Sequence, residues 1–318
     1  MIFQLLFFIF GFVLLIYGGN FLVDGAASLA KHFKISDLVI GLTIVSFGTS
    51  APELMVNIVA SVEARGDMTI GNIIGSNIAN ILLILGSASL ISPIRVKNST
   101  IWKEIPFSIL AVVVLFILSN DSLIDGAEDD IISRSDGLIL LCFFIIFLSY
   151  IVSLSRQKLE EEIIPAKYGK FISFLFFMIG LLGLISGGKL VVDAGSKIAR
   201  TIGISEALIG FTLIAIGTSL PELFASTIAA YKKKSDIAIG NIVGSNIFNI
   251  FWIFGISSTI RPISFSFVYN YDIVVLMISS SLLFVFMFTG KKYTIHRKEG
   301  ILFLILYIFY LIYLFFRG

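Results

Sequence analysis

Apolar runs of about 20 residues follow one another along the whole chain. A run of that length, coiled as a helix, crosses the hydrocarbon core of a bilayer. Within that core every backbone N–H and C=O must find its partner inside the protein, which a helix provides. The composition agrees. The 318 residues are 57% hydrophobic and only 14% charged, against about 25% charged in soluble domains, and the mean hydropathy is +1.01. The chain reads as an all-α polytopic membrane protein with little room for a soluble domain.

Ten spans are predicted, over 2–29, 37–62, 69–92, 104–119, 137–154, 170–199, 205–231, 238–260, 271–289 and 300–316. The first is taken as a membrane helix rather than a secretory signal, because no Lys or Arg precedes Lys31. The single cysteine, Cys142, excludes a disulfide framework and faces lipid or core. The hydrophilic break at Ser155–Lys170 holds Glu160-Glu161-Glu162 and Pro165. It divides the chain into a first unit (1–154), a linker loop (155–169) and a second unit (170–318).

The two units repeat each other at a constant offset of 169 residues. Asp24 matches Asp193, Gly41 matches Gly210, and Thr43 matches Thr212. Gly48-Thr49-Ser50-Ala51-Pro52-Glu53 returns as Gly217-Thr218-Ser219-Leu220-Pro221-Glu222. Gly71-Asn72, Gly75-Ser76-Asn77 and Asn80 return as Gly240-Asn241, Gly244-Ser245-Asn246 and Asn249. Five spans per unit is an odd number, so the copies must insert upside down relative to each other. Inverted repeats of this kind mark transporters, with the substrate site between the repeats near the midplane.

Loop charge predicts the orientation. Sixteen of the 23 basic residues fall in alternate loops, among them Lys31, Lys34, Arg95, Lys97, Lys167 and Lys232–Lys234. The opposite side carries the acidic loop Asp121–Asp136, with Lys197 and Arg200 as exceptions that can snorkel. The positive-inside rule then puts both termini outside and the 155–170 loop in the cytoplasm, in a multi-pass plasma-membrane protein. Because the basic residues lie in short loops, the net charge of +2 does not point to nucleic acid.

Chemistry concentrates in the repeated motif. A mid-span carboxylate is expensive in hydrocarbon and is functional by default; Glu53 and Glu222 have no basic residue in their own helical segments. Pro52 lacks an N–H, so the carbonyl of Gly48 loses its helical donor and can turn toward a cation. Thr49, Ser50 and Glu53 fall within one helical turn, as do Thr218, Ser219 and Glu222. Carboxylates, hydroxyls and carbonyls are hard ligands suited to Ca²⁺ or Na⁺ rather than copper or zinc. His32 and His296 are placed in loops as solvated surface. The next span adds a polar stripe of Asn72, Ser76 and Asn80, repeated as Asn241, Ser245 and Asn249. The adjoining Gly71/Gly75 and Gly240/Gly244 pairs read as close helix packing rather than ligation. Asn77 and Asn246 lie off the stripe and are expected to brace the backbone. Asp24 and Asp193 are expected to be gating or structural residues, with Lys189 one turn from Asp193 and within pairing reach of it.

G-T-S-x-P-E followed by G-N-x-x-G-S-N-x-x-N, in both units, resembles the alpha repeats of the sodium/calcium exchanger family within the calcium/cation antiporters. The short central loop resembles the compact prokaryotic members. The resemblance implies ten helices as two inverted five-helix repeats and one ion cluster between the second, third, seventh and eighth spans. It further implies that the first and sixth spans slide to alternate access. Glu53 and Glu222 would be the shared Ca²⁺/Na⁺ carboxylates. Thr49 and Thr218 would add carbonyl or hydroxyl oxygens, and the backbone carbonyls of Ser46 and Ala215 would join them. Ser50, Ser219, Ser76 and Ser245 would serve peripheral Na⁺ sites, and Asn80 and Asn249 would complete the centre. The potassium-dependent branch, and some prokaryotic members, have aspartate where Asn249 stands; asparagine here resembles the potassium-independent branch. The cargo is then Na⁺ and Ca²⁺, with no cofactor, no enzymatic activity and no inferable protein partner. Coupling to K⁺ or H⁺ is the alternative within transport. A cation channel is the alternative outside it, disfavoured because a conduction path would favour a ring of ligands.

Overall fold

A computed structural model describes residues 2–156, 165–201, 215–289 and 293–317. The first unit contains α1 (Ile2–Phe33), α2 (Asp37–Thr49), α3 (Ala51–Val62), α4 (Gly66–Ile91), α5 (Asn98–Leu118) and α6 (Arg134–Ser155). The second contains α7 (Lys170–Thr201), α8 (Leu220–Tyr231), α9 (Ser235–Ile260), α10 (Tyr269–Phe286) and α11 (Arg297–Arg317). Eight of these, namely α1, α4, α5, α6, α7, α9, α10 and α11, are each long and apolar enough to cross a bilayer. The predicted second span is a ninth, built from α2 and α3 with a 46° bend between them.

The predicted seventh span is described only from the turn Ala215–Gly217 through α8. The matches at Gly210 and Thr212 lie outside the described residues, as do Glu160–Glu162 of the central loop. Cys142 is exposed on α6 and so takes the lipid-facing alternative.

The bend follows from the proline. Pro52 and Pro221 each stand in the first turn of their helix, where the missing N–H costs no helical hydrogen bond. Ser50 before α3 (φ −82°, ψ 8°) and Ser219 before α8 (φ −87°, ψ 4°) adopt the same non-helical hinge. The repeat is thus copied in backbone conformation as well as in letters. A feature with no sequence signal lies nearby: Gly41–Val45, Asn80–Leu85 and Phe248–Phe254 are wound as π-helix. Such widened turns are costly and concentrate at functional sites. Asn80 opens one, and Asn249 lies in another.

Burial orders the helices. In their apolar windows 94% of α9 and 78% of α4 is buried, against 22% for α1 and α11, so α4 and α9 form the centre and the latter two the rim. Phe107 of α5 and Phe143, Phe144 and Phe147 of α6 stack on Phe248, Phe251 and Trp252 of α9. This aromatic wall braces the π-helical stretch that carries Asn249. Gly240 and Gly244 behave as packing residues, whereas Gly71 and Gly75 do not: a Cβ there would meet nothing within 4 Å. A Cβ on Gly240 would lie 3.0 Å from the Leu38 carbonyl, and one on Gly244 would lie 2.7 Å from Ser46 Oγ.

α1 and α7 pack against each other along their lengths. Their backbones touch: a Cβ on Gly18 would lie 2.8 Å from Leu184 N, and one on Gly187 would lie 2.8 Å from the Gly11 carbonyl. Small residues at a helix interface allow this approach.

Polar contacts gather alternate connections at opposite ends. At one end Lys232 and Lys167 bind Asp24 (2.7 and 3.3 Å), Lys234 binds Asp37 (2.9 Å), and Lys97 binds Asp236 (2.9 Å). There too Ile94–Arg95 pairs antiparallel with Thr294–Ile295. At the other end Ile131–Ile132 pairs with Ile263–Ser264, and Asn120 and Asn270 exchange side-chain hydrogen bonds. Tyr269 donates to Asp67, and Arg317 binds the buried Asp272 at 2.7 Å. The predicted basic loops therefore share one end of the bundle wherever they are described.

Candidate ion-binding site

Hinging at Ser50 and Ser219 aims the first turns of α3 and α8 at each other across α4 and α9. Glu53 and Glu222 are each 1% exposed. Their first carboxylate oxygens are held across the repeat boundary. Ser50 donates to Glu222 Oε1 (2.9 Å), and Ser219 donates to Glu53 Oε1 (3.3 Å). The same hydroxyls reach Ser245 (3.1 Å) and Ser76 (3.3 Å). Thr49 donates to Asn241 Oδ1 (3.1 Å) and Thr218 to Asn72 Oδ1 (3.3 Å). Asn80 donates to Asn246 Oδ1 (2.9 Å) and Asn249 to Asn77 Oδ1 (3.0 Å). Asn77 and Asn246 each donate to the other's backbone carbonyl at 3.5 Å. Each of these contacts has its partner at the 169-residue offset, as in a two-fold interface where residue i meets j and j meets i.

Among the twelve candidate residues, four buried side-chain oxygens have no donor: Glu53 Oε2, Glu222 Oε2, Asn80 Oδ1 and Asn249 Oδ1. A buried acceptor left unpaired costs about 1–3 kcal/mol, and a charged one more. Neither glutamate has an ion-pair partner among the described residues, so nothing there balances the charge these carboxylates carry when ionised. The electrostatic complement is a cation. The donor set is oxygen alone, and among the described residues no group of three His, Cys, Asp or Glu side chains exists. Hard cations fit such a set; copper and zinc do not.

The twelve residues singled out from the sequence divide as follows. Glu53, Glu222, Ser50, Ser219, Ser76 and Ser245 are joined directly by hydrogen bonds, whereas Asn80 and Asn249 are bonded to Asn246 and Asn77. Thr49 and Thr218 lie beside them, with hydroxyl protons committed to Asn241 and Asn72 and oxygen lone pairs still available. The Ser46 carbonyl already accepts from Ser50 N (2.9 Å), with Thr49 Oγ1 3.4 Å away as an alternative donor. Ala215 heads the turn Ala215–Gly217 leading to Thr218.

Asn77 and Asn246 do more than brace backbone: they hold the amides of Asn249 and Asn80 so that the Oδ1 atoms stay free. Asn57, Ser226 and the threonine-holding role of Asn72 and Asn241 were missed, although the 169-residue offset marks all four. Asp24 serves in an ion-pair cluster at the end of α1, outside the ion site. Asp193 makes no pair with Lys189; both line a cavity of about 590 Å³ that also touches Pro52, Thr218 and Pro221. The histidines are not merely solvated: His32 meets the Tyr168 carbonyl at 2.8 Å, and the Nε2 of half-buried His296 is shielded from solvent.

The family model of the sodium/calcium exchanger protein matches residues 3–153 and 172–316, with its break at the central loop. The chain belongs to the sodium/calcium exchanger family. Among its relatives, the putative antiporter CaxA of Alkalimonas amylolytica is 36% identical over 315 residues, covering 96% of each chain. The sodium/calcium exchanger MaX1 of Methanosarcina acetivorans is 31% identical over 343 residues, covering 96% of this chain and 97% of that one. A solved structure of the sodium-calcium exchanger NCX_Mj, soaked with 10 mM Na⁺ and zero Ca²⁺, superposes with a TM-score of 0.84 at 37% identity, covering 97% of each chain. This family member is a membrane transporter and not an enzyme.

Proposed function

We propose that this exchanger is a cation/Ca²⁺ antiporter that moves Na⁺ one way and Ca²⁺ the other through one shared site by alternating access. The observation that carries the reading is the set of four donorless buried oxygens, two from each unit, around two carboxylates lacking a cationic partner. Each unit supplies only two of these donorless oxygens, fewer than the 6–8 that Ca²⁺ takes. Glu53, Glu222, Asn80 and Asn249 are the core ligands. Thr49, Thr218 and the carbonyls of Ser46 and Ala215 add oxygens, and Ser50, Ser219, Ser76 and Ser245 border the Na⁺ positions.

The reciprocal contacts support ten spans arranged as two inverted five-span repeats, with 155–169 as the linker. The basic ends gathered around Asp24, Asp37 and Asp236 support a cytoplasmic central loop and external termini in the plasma membrane. The backbone contact of α1 with α7 supports a pair that slides as a unit.

The charge balance gives a reason for obligatory exchange. Two carboxylates contribute −2; one Ca²⁺ neutralises them, and two or three Na⁺ leave the site at 0 or +1. Either load lowers the cost of moving the site through a low-dielectric interior, whereas the empty site keeps two buried charges. Three Na⁺ per Ca²⁺ would be electrogenic, each net charge being worth about 2.3 kcal/mol per 100 mV. The inward Na⁺ gradient then drives Ca²⁺ extrusion.

Proteoliposomes loaded with Na⁺ and diluted into Na⁺-free buffer are expected to accumulate ⁴⁵Ca²⁺. Uptake indifferent to the Na⁺ gradient would refute the Na⁺ coupling. Arms with and without K⁺, and with the proton gradient collapsed, separate Na⁺ coupling from the K⁺- and H⁺-coupled alternatives.

A further inference from the structure

The two units are alike around the glutamates but differ one helical turn away. At the repeat offset, Asn57 on α3 stands where Ser226 stands on α8, and Ser61 stands where Ala230 stands. On the second-unit side the polar relay is closed: Thr49 donates to Asn241 (3.1 Å), and Asn241 Nδ2 donates to Ser226 Oγ (2.9 Å). On the first-unit side the corresponding relay starts the same way, Thr218 donating to Asn72 at 3.3 Å, but it does not close. Asn57 Nδ2 is turned to the Glu53 backbone carbonyl (2.7 Å). That leaves Asn57 Oδ1 without a donor, Asn72 Nδ2 without an acceptor and Ser61 Oγ without either, all three atoms buried.

α3 packs on α4 as α8 packs on α9, so the equivalence of positions puts the Asn72 amide toward Asn57. One donor, one acceptor and one hydroxyl on facing helices is the complement of a water molecule. A buried water makes about three hydrogen bonds to groups that otherwise lack them. We propose that a fixed water occupies this position, accepting from Asn72 Nδ2 and donating to Asn57 Oδ1 and Ser61 Oγ. It stands where the Ser226 hydroxyl stands in the other unit. Through Asn72 it positions the Thr218 hydroxyl beside the ion cluster, as Ser226 positions Thr49 through Asn241. Asn57 is therefore a positioning residue. The ion site is held by protein on one side and by an exchangeable solvent molecule on the other. Ser61 also lines a cavity of about 280 Å³ at the Arg65–Asp67 end of the bundle.

The hydration site stands independently of the Na⁺/Ca²⁺ reading; its effect on transport rests on that reading, and two measurements separate them. In a structure of the purified full chain at about 2 Å or better, density for a water within hydrogen-bonding distance of Asn57 Oδ1 and Asn72 Nδ2 is expected, with Asn241 bonded directly to Ser226. A direct Asn57–Asn72 bond, or no water between them, overturns the proposal whatever the protein transports. In Na⁺-driven ⁴⁵Ca²⁺ flux, Asn57→Ala is expected to raise the Ca²⁺ KM about fivefold with the maximal rate within about twofold, the effect of losing one modest hydrogen bond. Asn57→Ser supplies a hydroxyl in the manner of Ser226 and is expected to restore the wild-type KM. Asn57→Ser impaired as much as Asn57→Ala, or Asn57→Ala equal to wild type, contradicts the positioning role. Absence of Na⁺-driven flux in the wild type, with the water present, would refute the exchange reading alone.

Discussion

Glu53→Gln isolates the charge from the shape of the site. Glutamine matches glutamate in size and keeps an Oε1 able to accept from Ser219, which now lies 3.3 Å away. The 1% exposed side chain therefore stays in its packing environment. Two things are lost: one negative charge and the unpaired Oε2. With a Ca²⁺–oxygen distance of about 2.4 Å and an effective dielectric near 20, a divalent cation and one carboxylate attract by about 14 kcal/mol. Most of this offsets dehydration of the ion, but even a third of it, about 4–5 kcal/mol, weakens binding by more than a thousandfold. Ca²⁺ uptake into Na⁺-loaded proteoliposomes is thus expected to fall to background in Glu53→Gln, and equally in Glu222→Gln, with protein yield and thermal midpoint at or above the wild type. The thermal midpoint matters because removing an uncompensated buried charge does not destabilise the fold. Substantial Na⁺-driven uptake in either variant would refute the assignment of these carboxylates. So would loss of uptake accompanied by loss of folded protein.

Ser50 donates to Glu222 at 2.9 Å and Ser219 to Glu53 at 3.3 Å; Ser50→Ala is expected to raise the Ca²⁺ half-saturation about tenfold, and more than Ser219→Ala, as read in ⁴⁵Ca²⁺ flux. Gly18→Val forces α1 away from Leu184 of α7, where even a Cβ would lie at 2.8 Å; turnover is expected to drop at least about tenfold, with Ca²⁺ binding to purified protein little changed, whereas an unaffected rate would contradict a close-packed α1–α7 pair that slides as a unit. Asp272→Ala strips Arg317 (2.7 Å) and Tyr310 (3.1 Å) of their acceptor at the end of α10 and α11; with the arginine partly solvated, a loss of about 1–3 kcal/mol is expected, seen as a lower thermal midpoint with the Ca²⁺ KM unchanged.

The spans and the repeat were legible because the bilayer imposes length and apolarity, and because a constant 169-residue offset is visible without any fold. The two glutamates were legible because carboxylates in apolar helices have no bland explanation. What remained hidden depends on geometry that the letters do not fix. Nothing in Asn80–Leu85 or Phe248–Phe254 announces a π-helix, since backbone widening there follows from how α4 and α9 pack. The exchange of serine hydroxyls between units requires the units to face each other at a given register. The Lys189–Asp193 pair failed for a related reason: helical spacing permits contact but does not compel it, and both side chains face a cavity. Asn57 and Ser226 escaped notice because their letters differ, although their positions correspond. Glu104 with Tyr150, and Asp272 with Arg317, each pair a buried carboxyl with a residue on another helix that pattern alone cannot match.

The central claim is a single site, built by both units and shared by the two cations. Equilibrium binding of ⁴⁵Ca²⁺ to the purified transporter, titrated with Na⁺ at constant ionic strength, tests it most directly. A shared site predicts complete displacement of Ca²⁺ by Na⁺ with a Hill coefficient above 1, since more than one Na⁺ must replace each Ca²⁺. It also predicts loss of Ca²⁺ binding in both Glu53→Gln and Glu222→Gln. Ca²⁺ that stays bound at saturating Na⁺, or binding that survives the loss of either glutamate, would contradict it.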